Sequence, residues 1–250
     1  MNEVQGAGPA GPDPTKFRLM RISPDGQQRC GGLELLDGEG TLWLDLVAQS
    51  DAELELLTRR FCFHPLAIED TRHLDQRPKA EEYGNYLFLV QHGFGPMSDQ
   101  LALDLHEVHA FLGRELLVTV HEQPMPEIDA VWARACADAT LARRGPDFLF
   151  YLISDAIADR HFLLLDALAE RIEELEDSIL ASPDKHHVER LFALKRALVT
   201  LRRTVSPARE VFGLLAKSGD PRISERTALY FRDVYDHLMR VNEEIETDRD

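Results

Sequence analysis

Carboxylates at helical spacing are the residues of this sequence best suited to chemistry. Asp233, Asp236 and His237 stand at i, i+3 and i+4, so on a helix all three lie near one face. Asp155 and Asp159 are also four apart, and Glu69-Asp70 follows Pro65 at the end of a short apolar stretch. Such acids offer oxygen ligands to hard cations such as magnesium, which binds through one or two carboxylates and keeps several waters. The same pairs also read as plain solvated helix faces, as do the six acids and one arginine between Asp166 and Asp177. Histidines offer less. His106 and His109 fall on an expected strand, where an offset of three puts them on opposite faces. His186-His187 follows a helix turn and reads as surface. Cys30, Cys62 and Cys136 are odd in number, and no pair has metal-ligand or redox spacing, which suits a reducing compartment. No Gly-x-Ser-x-Gly, Gly-rich phosphate loop or His-Glu-x-x-His is present, so a metal-dependent hydrolase lacks its nucleophile and base.

Charge narrows the partners. Against 44 Asp+Glu stand 28 Lys+Arg, a net charge of −16 in 250 residues. That excess opposes non-specific nucleic-acid binding, which needs clustered Lys and Arg, and it opposes a polybasic membrane surface. Cations are its natural partners. No run of about 18 apolar residues occurs, and no secretory signal opens the chain.

The elements that must position the acids divide the chain. Residues 1–14 are rich in Gly and Pro and predict a disordered leader. From 15 to 145 the texture is mixed. Strands are expected over Phe17–Ile22, Leu42–Leu46, Tyr86–Val90, Leu105–Leu112 and Leu116–Val120, with a hairpin turn at Gly113-Arg114. Helices are expected over Asp51–Phe61, capped by Ser50 or Asp51, and over Glu127–Leu141. Strands mixed with helices predict an α/β or α+β layered domain. Residues 146–219 differ. Leu165, Leu168, Ile172, Leu175 and Ile179 are spaced 3, 4, 3, 4, and Leu191, Leu194, Leu198, Leu201 and Val205 repeat that spacing after Ser182-Pro183-Asp184. Coiled-coil seams joined by a short turn predict a long antiparallel helical hairpin. Its first helix, over Asp147–Leu180, would be about 50 Å long at ~1.5 Å per residue and should project. Gly219 marks the stop. In 220–250, Phe231, Val234, Leu238, Val241 and Ile245 keep the same pattern without a terminating cap, which predicts a third helix cut short of its natural length.

Several ordered motifs carry a family resemblance. His64-Pro-Leu-Ala-Ile-Glu-Asp70, Gln76-Arg-Pro-Lys79 and Tyr83-Gly-Asn-Tyr-Leu-Phe-Leu-Val90 come first. Phe148-Leu-Phe-Tyr-Leu-Ile-Ser-Asp155, Leu194-Lys-Arg-Ala-Leu-Val-Thr-Leu-Arg-Arg203 and Tyr230-Phe-Arg-Asp-Val-Tyr-Asp-His237 follow. Together they resemble the cytoplasmic domain of CorA-type magnesium channels from about Phe17 to Asp250. The resemblance implies an αβα-layered N-terminal domain with a mixed sheet, a helical hairpin and a stalk helix truncated before two transmembrane helices. It implies a homopentamer on the cytoplasmic side of the inner membrane in the full-length protein. Without the membrane helices much inter-protomer contact is lost, so this fragment is expected to be monomeric or weakly associated. The resemblance also implies regulatory Mg2+ sites, with Co2+, Ni2+ or Zn2+ as alternatives. Asp70 and Asp233 match acids that share an ion between neighbouring protomers, and Glu69 and Asp155 match a second nearby site. The resemblance implies sensor sites with no catalytic role. A zinc or cobalt transporter of the same superfamily and a coiled-coil scaffold with solvated acids are the competing readings.

Overall fold

β-Branched and aromatic runs that are apolar on both faces make strands buried on both sides, and they dominate the first half of the chain. The computed structural model describes residues 13–47, 51–98, 101–182, 184–217 and 219–249. Its strands are β1 (Phe17–Ile22), β2 (Gln28–Gly31), β3 (Thr41–Val47), β4 (Lys79–Tyr83), β5 (Tyr86–Phe94), β6 (Leu105–Gly113) and β7 (Leu116–His121). Its helices are α1 (Asp51–Phe61), α2 (Pro65–Arg72), α3 (Pro126–Ala137), α4 (Ala139–Ala142), α5 (Pro146–Ala181), α6 (His186–Leu215) and α7 (Glu225–Arg249). The strands form one mixed sheet in the order β2-β1-β3-β7-β6-β5-β4. Among the described residues, only β3 and β7 pair in parallel. The mixed sheet with helices on both faces is the expected α+β class.

Two apolar clusters show how the layers stack. On one face Leu44, Phe88, Phe111 and Val118 pack with Leu54 and Leu57 of α1 and with Ala67 and Ile68 of α2. On the other, Trp43, Leu87, Leu89 and Leu117 pack with Ile128 and Val131 of α3 and with the first turns of α5. That second cluster continues without a break into the helical seam, from Leu165 and Leu168 through Leu201 and Val205 to Val241 and Ile245. One core therefore crosses position 145.

α7 completes the seam. Phe231, Val234, Leu238, Val241 and Ile245 are all buried between α5 and α6. α7 runs antiparallel to α6, as contacts from Gly213 beside Tyr235 to Ser206–Asn242 at 2.6 Å and Arg202–Glu246 at 2.5 Å record. Beyond that last pair the hairpin tip goes on, leaving Leu180, Leu191 and Phe192 exposed. His187 stitches the tip: its Nε2 meets Ser178 Oγ at 2.9 Å, and its Nδ1 accepts from the Asp184 amide at 3.1 Å.

The structure departs from the sequence expectations at several elements. The helix expected over Glu127–Leu141 breaks at Asp138, whose carboxylate accepts from the Thr140 amide at 2.9 Å and so caps α4 instead of continuing α3. The edge strands β2 and β4 and helix α2 carry no clear periodicity in the sequence. Of the expected leader, residues 1–12 lie outside the described residues, while Asp13 already accepts from the Thr15 amide at 2.9 Å and precedes a 3-10 turn. Ser50 also lies outside them. His106 and His109 do point to opposite faces. His109 is buried beside the Phe88 ring, and His106 meets Asp104 at 2.9 Å.

His161 gives the core an acid limit. It is buried on α5 with Nε2 donating to the His92 carbonyl at 3.1 Å. Burial pushes its pKa down to about 4, against the partial offset of that hydrogen bond. As pH falls from about 6.5, the unfolded chain takes up the proton first, so stability declines until the folded pKa is reached, by up to about 3 kcal/mol. His161→Gln keeps a donor for the His92 carbonyl and removes the titration. Urea unfolding between pH 6.5 and 4 is expected to be flatter for the variant. An unchanged slope would assign the acid limit elsewhere.

Candidate metal centre

Two parallel helices carry the acids. α5 starts at Gly145, whose φ of +112° suits glycine, with Pro146 at its first turn. α7 starts at Ser224, whose Oγ accepts from the Thr227 amide at 3.2 Å as an N-cap. The Ser224 amide and hydroxyl both donate to Asp147 Oδ2, at 2.9 and 2.8 Å, which ties the first turn of α7 to that of α5. Arg222 fixes the same end to the sheet. Its side chain is almost fully buried and donates to the carbonyls of Gly84 and Tyr86 at 2.8 and 3.1 Å and to Glu82 at 2.9 Å. Asp147 and Arg222 set the register of the site, and neither carries a spacing or motif signal for that role.

That register lays one i,i+4 pair beside another. Asp155 and Asp159 on α5 face His237 on α7, with ligand atoms from all three within 4.8 Å of one another. His237 Nδ1 lies 4.0 Å from Asp155 Oδ1, and its Nε2 lies 3.8 Å from Asp233 Oδ2. Tyr151 donates to Asp155 Oδ2 at 3.3 Å. Burial, and then the neighbouring Asp159 charge, hold the Asp155 carboxyl above its usual range. Burial and Asp155 push the Tyr151 phenol up to about 12, so it stays a donor. The donor set is two carboxylates and one imidazole, with Asp233 at the rim. Oxygen ligands suit magnesium, and the imidazole widens the set to cobalt, nickel and zinc.

The sequence placed Asp236 on the same face as Asp233 and His237, and the structure separates them. At 3.6 residues per turn, i+3 and i+4 diverge by about 100° around the helix. His237 turns toward α5, whereas Asp236 lines a groove with Arg209 and Gly213 of α6.

Glu69 and Asp70 stand elsewhere. α2 opens with His64, whose Nδ1 accepts from the Leu66 amide at 3.2 Å, followed by Pro65. It packs on the sheet face opposite α5, so within one chain Glu69 and Asp70 do not join Asp155 and Asp233. Glu69 is exposed. Asp70 accepts from Lys79 Nζ at 2.6 Å, and Lys79 also meets Glu81 at 3.0 Å. Burial opposes the ammonium, but the bonds to Asp70 and Glu81 outweigh it and raise the Lys79 pKa.

Both sequence and fold relate this chain to known proteins. The family model described as CorA-like Mg2+ transporter protein matches residues 38–250. A Bacillus subtilis protein named putative metal ion transporter YfjQ is 34% identical over 211 residues, covering 83% of this chain and 64% of that protein. The cobalt/magnesium transport protein CorA of Thermotoga maritima is 36% identical over 191 residues, covering 76% of this chain and 54% of that protein. This chain thus spans less than two thirds of the length of either relative. Among solved structures, the soluble domain of CorA from Methanocaldococcus jannaschii has a TM-score of 0.80 at 20% identity, covering 93% of this chain and 92% of that one. The ZntB cytoplasmic domain from Vibrio parahaemolyticus has a TM-score of 0.76 at 15% identity, covering 93% and 91%. At those identities the two structures establish the shared fold. With the family model matching most of the sequence, this chain belongs to the CorA-like Mg2+ transporter family.

Proposed function

We propose that this chain is the cytosolic metal-sensing and gating domain of a CorA-like magnesium channel, working as a homopentamer on the cytoplasmic side of the cell membrane. No helix among the described residues is long and apolar enough to cross a membrane. In this reading the pore belongs to the part of the relatives' length that this chain does not span. The observation that carries the reading is the meeting of Asp155, Asp159 and His237 across α5 and α7. A cation there bridges the helix rooted in the sheet domain and the helix that would lead toward a pore.

The mechanism follows from charge. Without a cation, Asp155 and Asp159 repel across one helical turn, and Asp233 adds a third negative charge at the rim. A divalent ion relieves that repulsion and draws α7 against α5. Asp70 of one protomer and Asp233 of its neighbour share one ion in this reading, and Glu69 and Asp155 serve a second nearby. Ions held this way favour the closed arrangement, by no more than their differential affinity for closed and open states. Few carboxylates with retained waters bind magnesium weakly, which suits a sensor of cytosolic magnesium.

Thermal unfolding of the 250-residue chain tests metal binding at α5 and α7. At ten times Kd, magnesium should stabilise by about 1.4 kcal/mol, a rise of about 3–5 °C for this size. His237→Ala should remove the rise, and sodium chloride at equal ionic strength controls for screening. Equal shifts with both salts would leave the acids as solvated faces. The second reading, a zinc or cobalt transporter of the same superfamily, draws on the His237 imidazole. It predicts a larger rise with those ions than with magnesium.

Lys79 occupies Asp70 with a charge of its own. Lys79→Gln removes a competing cation, worth about 1 kcal/mol at ~4 Å in water-like surroundings. The assembled protein should then bind magnesium at its Asp70 site about fivefold more tightly, read by titration calorimetry. Weaker binding would mean that Lys79 orients Asp70 for the ion.

A further inference from the structure

The three cysteines are spaced without pattern along the chain, yet folding brings two of them into contact. Cys30 lies on β2, which among the described residues is an edge strand paired with β1. Cys136 lies in the last turn of α3. Their Sγ atoms are 2.6 Å apart although the residues are 106 positions apart in sequence. Both are free thiols, Cys30 exposed and Cys136 half-buried. Two thiolates on one tetrahedral zinc would stand about 3.8 Å apart with Zn–S bonds of ~2.3 Å. The observed contact is well inside that and lies roughly half an ångström beyond a covalent bond of ~2.05 Å. β2 and α3 are also joined by Gln28, whose Nε2 donates to the Ala135 carbonyl at 2.7 Å and lies 3.7 Å from Cys30 Sγ. The two backbones are thereby held in place before any bond forms.

We propose that Cys30 and Cys136 are a redox modification site, closing to a disulfide by exchange with a low-molecular-weight disulfide such as oxidised glutathione. The two thiols have separate tasks. Burial, and then the hydrogen bond to Cys30, push the Cys136 thiol up to about 12, so it holds its proton. Cys30, exposed and beside the Gln28 amide, is the attacking sulfur. Its thiolate displaces one glutathione thiolate and forms a mixed disulfide. Cys136 then loses its proton to solvent and attacks the Cys30 sulfur, and the second glutathione thiolate leaves. Two protein thiols are oxidised, one glutathione disulfide is reduced to two thiols, and the bond pins edge strand β2 to α3. Closing so long a loop restricts the unfolded chain.

The test uses a Cys62→Ser chain, which leaves only this pair. The reduced protein is incubated with oxidised glutathione, and its free thiols, intact mass and melting temperature are read. Expected are loss of both thiols, a mass lower by two hydrogens with no retained glutathione, and a melting temperature higher by about 10 °C. Dithiothreitol should reverse all three. Adding Cys136→Ser should stop the reaction at a glutathione adduct on Cys30 with no rise in melting temperature. Persistence of both thiols, a stable glutathione adduct when Cys136 is present, or a link between two chains overturns the proposal.

Discussion

Asp45→Asn is expected to destabilise the chain by about 3–5 kcal/mol, the scale for removing one partner of a buried ion pair. Asp45 is fully buried on β3, where it accepts from Arg18 Nε at 2.7 Å, from His121 Nε2 at 3.1 Å and from the Thr119 hydroxyl. Trp43 Nε1 donates in turn to Thr119 Oγ1 at 3.0 Å. His121 Nδ1 meets the Gln123 carbonyl at 2.7 Å, so both ring nitrogens face acceptors and the imidazolium form is favoured. Burial alone would raise the Asp45 pKa, but the bond and charge of His121, with Arg18 and Thr119, hold it down. Burial alone would lower the His121 pKa, but Asp45 outweighs it.

The signs fix a pH window. The Asp45 contribution is present above the unfolded carboxylate value and is lost as pH falls through its depressed folded pKa. The His121 contribution is complete below the unfolded histidine value and is lost as pH rises through its raised folded pKa. The pair therefore stabilises most between about pH 4 and 6.5. Denaturant midpoints from pH 3 to 9 should show the largest gap between wild type and Asp45→Asn in that window. A gap independent of pH would mean that the pair is not ionised as described.

Phe231→Ala is expected to cost about 3–5 kcal/mol. Phe231 is fully buried, with Phe150 of α5 at 6.0 Å and Phe212 of α6 at 5.9 Å between ring centroids. It stands two residues before Asp233, so the cavity would open where α7 meets both neighbours. Phe231→Leu should cost less, because most of the volume is kept. If the proposed metal centre depends on this packing, the alanine variant should also lose its magnesium-dependent rise in melting temperature while still folded. A cost under about 1 kcal/mol would contradict the three-helix core.

How much was legible beforehand depended on burial. Strands β1, β3, β5, β6 and β7 carry apolar side chains into one or both layers, so periodicity found them. β4 reads Lys-Ala-Glu-Glu-Tyr and β2 reads Gln-Arg-Cys-Gly. Both are sheet edges, where no buried face imposes a pattern. The heptad spacing located α5, α6 and α7 but could not say which seam met which. Ile179 and Leu191 continue the spacing into the exposed tip, whereas the seam of α7 is buried throughout.

The acids were legible as pairs and only partly as a site. Asp155 and Asp233 belong to the ordered motifs and stand close, with His237 between them. Asp159 and His237 were visible as i+4 partners, but their meeting depends on the register that Asp147 and Arg222 impose. Glu69 and Asp70 lie on the other layer, a separation that only the sheet topology reveals. The contact of Cys30 with Cys136 has no signal at all in local spacing.

The central claim is that cytosolic divalent cations act through these acids on gating. The direct measurement is ion flux through the full-length transporter proposed above, across a range of cytosolic magnesium. Wild type should close as magnesium rises. Asp233→Asn should move the midpoint of closure upward by about tenfold, equal to 1.4 kcal/mol of lost differential binding. Asp70→Asn should act likewise, and the double substitution should add little, since the two share one ion. Ion selectivity should stay unchanged. Magnesium inhibition that is the same in both single variants as in wild type would contradict the account and return these carboxylates to solvated helix faces.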